Sequence, residues 1–318
     1  MSAAIETPRI SVIVPAYGVA HLLADALASL QAQTRPDWEA IVVDDGATDD
    51  VAGALRPFAG DPRIRFLKTD NGGISAARNR AAAIATTPLL ALLDGDDAFE
   101  PAYIESMIAA FDRAPTIDFI TCDAIFTGMA DRRNQRFSRF HGQSGEPTLE
   151  RVIAREFNIF VGCSIRRVAF EAIGGFDEAL RAAEDLDLWI RLLAAGHRAA
   201  CLADPLVRYR RRPGSASADI RAMQAGEMRV YEKAMTLLAG RPEQAAAARR
   251  LAWLNAEQAW MDGEDLILAG EAREGLALMK GAERRSMRWR IALPVMRLFP
   301  ALARPLLRVR PALPPPRQ

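Results

Sequence analysis

Leu89-Leu90-Ala91-Leu92-Leu93-Asp94-Gly95-Asp96-Asp97 joins an unbroken apolar run to three carboxylates within four positions. A short run of this kind, bounded by turn residues, reads as a strand buried on both faces. Carboxylates that close repel one another unless a cation sits among them. Mg²⁺ or Mn²⁺ held at a strand end keeps open positions for phosphate oxygens. A polar Asp-Gly turn that merely caps the strand is the simpler alternative.

Working outward, the same kind of run recurs at Ile10–Val14, Ala40–Val43, Ile64–Leu67 and Phe119–Thr121, with helix-period segments near 20–32, 49–58, 74–85 and 101–113. Strand and helix alternating at this spacing predict an α/β fold, a mostly parallel sheet flanked by helices, with ligands at the carboxyl ends of its strands. Residues 126–160 show no clear period. The pattern resumes at Val161–Ile165, in a helix over Val168–Ile173 and in another near Glu184–Ala195. Beyond Pro213 the chain turns helical near 218–239, 243–269 and 271–285, which predicts one domain over 1–215 and a helical C-terminal appendage over 216–318.

Of the 318 residues half are hydrophobic and a quarter charged, as in a globular protein, and a net charge of +1 argues against a nucleic-acid binder. The average hides an asymmetry: from Arg284 onward there are nine arginines and no Asp or Glu. Cys122, Cys163 and Cys201 lack the spacing of a zinc site or a disulfide framework. The N-terminus shows no basic and apolar leader, and no 18-residue apolar run occurs, so a cytoplasmic location is the expectation.

The loops after the strands carry the chemistry. Tyr17 offers an aromatic face to a nucleobase or simply covers the sheet edge. In Asp44-Asp45-Gly46-Ala47-Thr48-Asp49 one carboxylate can accept from a base or a ribose hydroxyl, and Asp49 is expected to cap the next helix. Asn71-Gly72-Gly73 opens a helix in which Arg78 can oppose a phosphate or hold a binding-loop carboxylate. No Gly-Lys-Ser/Thr follows, so this is not a P-loop. Glu184 and Asp185 begin an amphipathic helix, where acids complement the helix dipole or supply a general base. Gly174-Gly175-Phe176-Asp177 before them can shape an acceptor pocket or only end a helix.

Val14-Pro15-Ala16-Tyr17, Asp44 to Asp49, Asn71-Gly72-Gly73 with Ala77-Arg78-Asn79, Leu93 to Asp97, and Gly174 to Asp177 with Glu184-Asp185 resemble, in order and spacing, the family-2 inverting glycosyltransferases of GT-A fold. The likeness covers roughly residues 8–215. It implies a nucleotide-sugar half over about 8–125 and an acceptor half over about 126–215. By that resemblance Pro15, Ala16 and Tyr17 line the nucleoside, Asp44 contacts the base and Arg78 supports the nucleotide. Asp94 and Asp96 match the DXD motif, with Asp96 and Asp97 toward ribose and a Mn²⁺ or Mg²⁺ ion. Asp185 matches the catalytic base, and Gly175, Phe176, Glu184 and Trp189 fall on the side of a glycan or lipid-linked acceptor. Members often carry a His before Pro-Gly-Ser, where this chain has Arg212, which cannot ligate a cation but can pair with phosphate.

Two rival enzymes fit less well. A sugar-nucleotide pyrophosphorylase is expected to carry a glycine-rich basic loop after the first strand, and a dinucleotide-binding dehydrogenase a GxGxxG. Pro15-Ala16-Tyr17-Gly18 supplies neither. Asp96, Asp97 and Asp185 together disfavour a non-catalytic binding protein of the same fold. In the tail, Trp289, Ile291, Leu293, Val295, Met296, Leu298 and Phe299 interleave with arginines, a pattern that suits either peripheral membrane contact, at the inner face, through 284–310 or a docked C-terminal extension with solvated arginines. Pro294, Pro300 and Pro305 are expected to break that segment into short pieces.

Overall fold

Each strand expected in the first 125 residues is present; those at Ile10, Ala40, Ile64 and Phe119 run on past the apolar stretch, and the one at Leu89 ends at Leu92. The computed structural model describes residues 7–215, 218–280 and 287–308. In chain order the elements are β1 (Ile10–Ala16), α1 (Ala20–Gln31), β2 (Trp38–Asp45), α2 (Val51–Leu55), β3 (Ile64–Thr69), α3 (Ile74–Ile84), β4 (Leu89–Leu92), β5 (Ala98–Phe99), α4 (Tyr103–Arg113) and β6 (Phe119–Gly128). They continue as α5 (Leu149–Ile153), β7 (Ser164–Arg166), α6 (Arg167–Ala172), α7 (Glu184–Ala194), β8 (Ala199–Arg211), α8 (Ile220–Leu237), α9 (Gln244–Ala269), α10 (Ala272–Leu278), α11 (Met287–Leu298) and α12 (Ala303–Arg308).

The strands form one sheet in the order β3-β2-β1-β4-β7-β6-β8-β5. Its first four strands are parallel, β7 runs against both β4 and β6, β8 runs parallel to β6, and β5 closes the far edge antiparallel to β8. The sheet is thus parallel where the apolar runs predicted it and mixed beyond β4. β1, β2 and β4 are buried at every residue, which is why they read as continuous apolar runs, whereas the edge strand β3 is only partly covered. Strand order reverses beside β1, which has β2 on one side and β4 on the other. A crevice therefore opens at the carboxyl ends of β1 and β4.

One cap differs from expectation. Asp50, not Asp49, caps α2 by accepting from the Gly53 N–H. Asp49 instead accepts from the N–H groups of Gly18 at 3.0 Å and Ala20 at 2.6 Å, so it ties the loop after β2 to the start of α1.

The chain divides into two compact units, Met1–Ala246 and Ala247–Gln318. The first reaches past residue 215 because α8 is bonded to it: Tyr231 donates to the Ile153 carbonyl at 2.8 Å, and Lys233 pairs with Asp177 and Asp187. In the second, Trp260, Ile267, Leu276, Met279, Leu293, Met296, Ala303 and Leu307 form a small core. α9 and α10 cross so closely at Gly263 and Gly275 that a Cβ on either would lie within 2.6 Å of the other's carbonyl oxygen. Contrary to expectation, α11 runs through Pro294, which sits on the exposed side, where water can satisfy the carbonyl that proline leaves unbonded. The end of the predicted 271–285 helix lies outside the described residues, as do 284–286 and 309–310 of the predicted membrane segment.

Loss of the Asp49 caps in Asp49→Ala is expected to lower stability by about 1–2 kcal/mol, read from the shift of a urea unfolding midpoint.

Candidate active site

The crevice is lined by loops that other elements hold in place. β1 delivers Pro15 and Ala16 as buried residues and leaves Tyr17 56 % exposed just beyond its end. Asp44 lies beside Ala16 in the sheet register and is nearly fully buried. Its Oδ1 accepts from the Ala47 N–H at 2.8 Å, which shapes the turn after β2. Asp45 reaches across to the start of α3, accepting from the Gly72 and Gly73 N–H groups at 2.9 and 2.7 Å and from Arg80 at 3.1 Å. These bonds hold the two glycines that lead into that helix, Gly73 being its N-cap.

Arg78 enters from α3 and is 1 % exposed. Its guanidinium donates to Asp94 at 2.6 Å through Nη2 and to Glu184 at 2.7 Å through Nη1, with the Phe176 ring 5.1 Å away. Burial favours loss of its proton, yet the two carboxylates more than offset this and hold it charged. Of the two roles open to Arg78, the geometry is that of a holder of loop carboxylates. The next residue, Asn79, exchanges two 2.9 Å hydrogen bonds with the backbone of Phe176, and Arg191 donates to the carbonyls of Ile173 and Gly175. These bonds fix the Gly174-Gly175-Phe176 turn against α3.

The acid cluster separates into three environments. Gly95 backs onto β1 so closely that a Cβ would meet the Pro15 carbonyl oxygen at 2.9 Å. Asp94 and Asp96 keep side-chain exposures of 24 % and 18 %. Asp97 is buried, accepts from the Arg210 N–H at 2.8 Å and so ties the loop to β8; burial holds its carboxyl well above the usual range. Asp97, expected with Asp96 at the cation, is thus covered and already engaged by the β8 backbone. Asp96 accepts from Arg212 Nε at 2.8 Å, while Arg210 donates to the Asp96 carbonyl at 3.0 Å and to Asp25 at 2.6 Å. Burial, with the Asp94 charge adding, raises the Asp96 carboxyl in spite of Arg212.

Glu184 and Asp185 open α7, after Ala183 in the left-handed conformation at φ 57°. Asp185 is partly buried, and its carboxyl is pushed up to about 6 by burial first and the Glu184 charge second. Arg78 and Arg155 pull in the opposite direction. Two of the expected acceptor residues are buried. Trp189 is 1 % exposed and its ring stacks on Phe119 at 5.5 Å, and Phe176 packs under Arg78 and against Phe170. Sequence reasoning missed Arg155 and Arg210, whose partners are distant in sequence. A left-handed φ at Arg155 is its one local mark.

Asp94 and Asp96 are hard oxygen donors at the crevice, and the raised Asp96 carboxyl marks a site that gains from added positive charge. This donor set suits a divalent cation. Among the described residues no three His, Cys, Asp or Glu side chains converge into a ready cage. Completing the shell from phosphate oxygens and water is the usual habit of Mg²⁺.

The profile of glycosyl transferase family 2 matches residues 11–174. Chondroitin synthase of Escherichia coli is 28 % identical over 195 residues, 60 % of this chain and 27 % of that protein. The succinoglycan biosynthesis protein ExoU of Rhizobium meliloti is 35 % identical over 210 residues, 62 % of this chain and 60 % of that one. This chain therefore spans less than two thirds of either relative. Among solved structures, the mannosyltransferase PcManGT of Pyrobaculum calidifontis, in complex with GDP-Man and Mn²⁺, superposes with a TM-score of 0.62 at 19 % identity, covering 92 % of this chain and 88 % of that one.

Arg78→Met leaves Asp94 and Glu184 without their shared counter-charge and is expected to cost about 3–5 kcal/mol in chemical unfolding. Because the Asp185 carboxyl is raised from 3.8 to about 6 by folding, the native state binds that proton more readily than the unfolded chain. Stability from this group is full below the unfolded value and falls as pH rises through about 6. Asp185→Asn should therefore match the parent near pH 3.5 and exceed it by on the order of 1 kcal/mol at pH 7.5, measured as urea midpoints across pH.

Proposed function

The chain belongs to glycosyl transferase family 2, and from that premise we propose that it transfers a sugar from a nucleotide-diphosphate sugar to the hydroxyl of a glycan or lipid-linked acceptor, with inversion, in cytoplasmic polysaccharide or glycolipid synthesis. The observation that carries this reading is a continuous set of charges at one strand-end crevice: Arg212 to Asp96, and Asp94 through Arg78 to Glu184, with Asp185 beside it. The relatives' names supply the setting, a chondroitin synthase and a succinoglycan biosynthesis protein.

In this reading Tyr17 gives the nucleobase its stacking face, the turns shaped by Asp44 and Asp45 bound the nucleoside, and the diphosphate lies toward Asp94 and Asp96. Asp185 accepts the proton of the acceptor hydroxyl as its oxygen bonds to the anomeric carbon. The bond from that carbon to the diphosphate breaks on the opposite side, and the nucleoside diphosphate leaves with the electron pair. A carboxylate whose pKa is near 6 is ionised at neutral pH yet basic enough to take part of that proton. Gly175, held by Arg191, and Glu184, held by Arg78, border the acceptor side. Asp96, with Asp94 beside it, would hold a Mn²⁺ or Mg²⁺ ion, which when bound neutralises charge on the departing diphosphate. Arg212 provides a second positive charge at that place, one the protein never has to recruit.

Incubation with a panel of UDP-, GDP- and dTDP-sugars, with and without Mn²⁺, should reveal metal-stimulated transfer or hydrolysis for one of them. Asp185→Asn is expected to lower kcat by about 10³-fold or more while nucleotide binding persists. Asp96→Ala should remove the metal-dependent part of nucleoside diphosphate affinity in titration calorimetry, and Arg212→His should enlarge it. Full activity in Asp185→Asn, or metal stimulation unchanged in Asp96→Ala, overturns the mechanism.

A further inference from the structure

α11 has two apolar faces, and the core of the second unit uses only one. Leu293 and Met296 point into that core, joined by Ala303 and Leu307 from α12. Met287, Ile291, Val295 and Leu298 follow the i, i+4, i+8, i+11 spacing of a different face and are 64, 62, 38 and 75 % exposed. Phe299, Leu302 and Leu306 continue the exposed apolar surface through the turn into α12. Single exposed apolar residues are ordinary; seven in twenty positions on adjoining helices form a patch of the kind that marks a binding surface.

Its chemistry selects the occupant. Arg290 and Arg304 are exposed along the same two helices, and the sequence from Arg284 to the end carries nine arginines with no acid. A second copy of such a surface would bring arginine against arginine, whereas an anionic lipid surface offers acyl chains to the apolar residues and phosphates to the guanidiniums. Among the described residues no helix is long and apolar enough to cross a membrane, so the segment would lie along the interface. We propose that the exposed face of α11 and α12, from Met287 to Leu306, is an interfacial docking surface for anionic lipid. The proposal holds whichever donor or acceptor the crevice takes. It narrows the contact expected for 284–310 to a defined face.

Co-sedimentation of the full chain tests it, using vesicles of phosphatidylcholine alone and of phosphatidylcholine with about a third phosphatidylglycerol. The parent is expected to pellet with the anionic vesicles, and to be released as salt screens the arginines. Ile291→Ser with Leu298→Ser and Phe299→Ser should lower partitioning about tenfold or more, and Arg290→Gln with Arg304→Gln should flatten its dependence on anionic lipid. These side chains are exposed, so an unchanged thermal unfolding midpoint will show that the fold survives. Met287→Ser with Leu302→Ser samples the same face independently and should also weaken binding. Vesicle binding that is equal in parent and serine variants overturns the proposal, as does no binding to anionic vesicles. So does a parent dimer in light scattering that the serine variants abolish, since the face then meets a second copy.

Discussion

A single buried guanidinium joins the two halves of the crevice. Arg78 stands on α3, Asp94 follows β4 and Glu184 opens α7, so three elements far apart in sequence meet on one side chain. Taking a charge from water is expensive, and the interaction repays it only when partners are close and well aligned. Arg78 meets that condition with two carboxylates at 2.6 and 2.7 Å. The same pairing orients Asp94 at the crevice and fixes the start of the helix that carries Asp185. Asn79, next along α3, fastens the glycine turn before α7, so one helix turn sets both sides of the site.

β8 performs the complementary task from the opposite edge. Arg210 uses its backbone N–H on Asp97 and its side chain on the Asp96 carbonyl and Asp25, while Arg212 meets the Asp96 carboxylate. Three neighbouring acids therefore have three distinct counterparts: a buried arginine, a partly buried arginine just past the end of β8, and a backbone donor. This division offsets part of the repulsion that the sequence poses at 94–97, although the Asp94 charge still raises the Asp96 and Asp97 carboxyls. It also means that a cation approaching Asp96 shares that carboxylate with Arg212, so metal and guanidinium act on the same charge and not as independent additions.

The parts of this arrangement written in local pattern were legible beforehand. Continuous apolar runs mark β1, β2 and β4 because both faces of those strands are covered, and the strand-end acids stand where the topology opens the crevice. Partner choice across long separations was not legible. Nothing near Arg210 announces Asp97, and Asp49 and Asp50 are equivalent acids until the fold brings Gly18 and Ala20 to one of them. Trp189 misled for a related reason: its helix is amphipathic, but the side chain falls on the stripe facing Phe119. Membership of α8 in the first unit rests on Tyr231 and Lys233, which helical period alone cannot distinguish from any other polar positions.

The proposed base illustrates why such a site has to be held by its surroundings. An isolated carboxylate prefers water, and Asp185 is placed where burial and the Glu184 charge both oppose its ionised form. The same placement makes it basic enough to accept a proton near neutral pH. Glu184 would make ionisation harder still if its own charge were unanswered, and Arg78 answers it at 2.7 Å. Ala183, buried and left-handed without being glycine, turns the chain into α7 at a conformational cost of order 1 kcal/mol. Local geometry therefore works against both the backbone and the charge of this segment, and the contacts from α3 supply what keeps it in place. The arginine that stabilises the fold and the carboxylate proposed to act on the acceptor are coupled through Glu184, so neither can be tuned without the other.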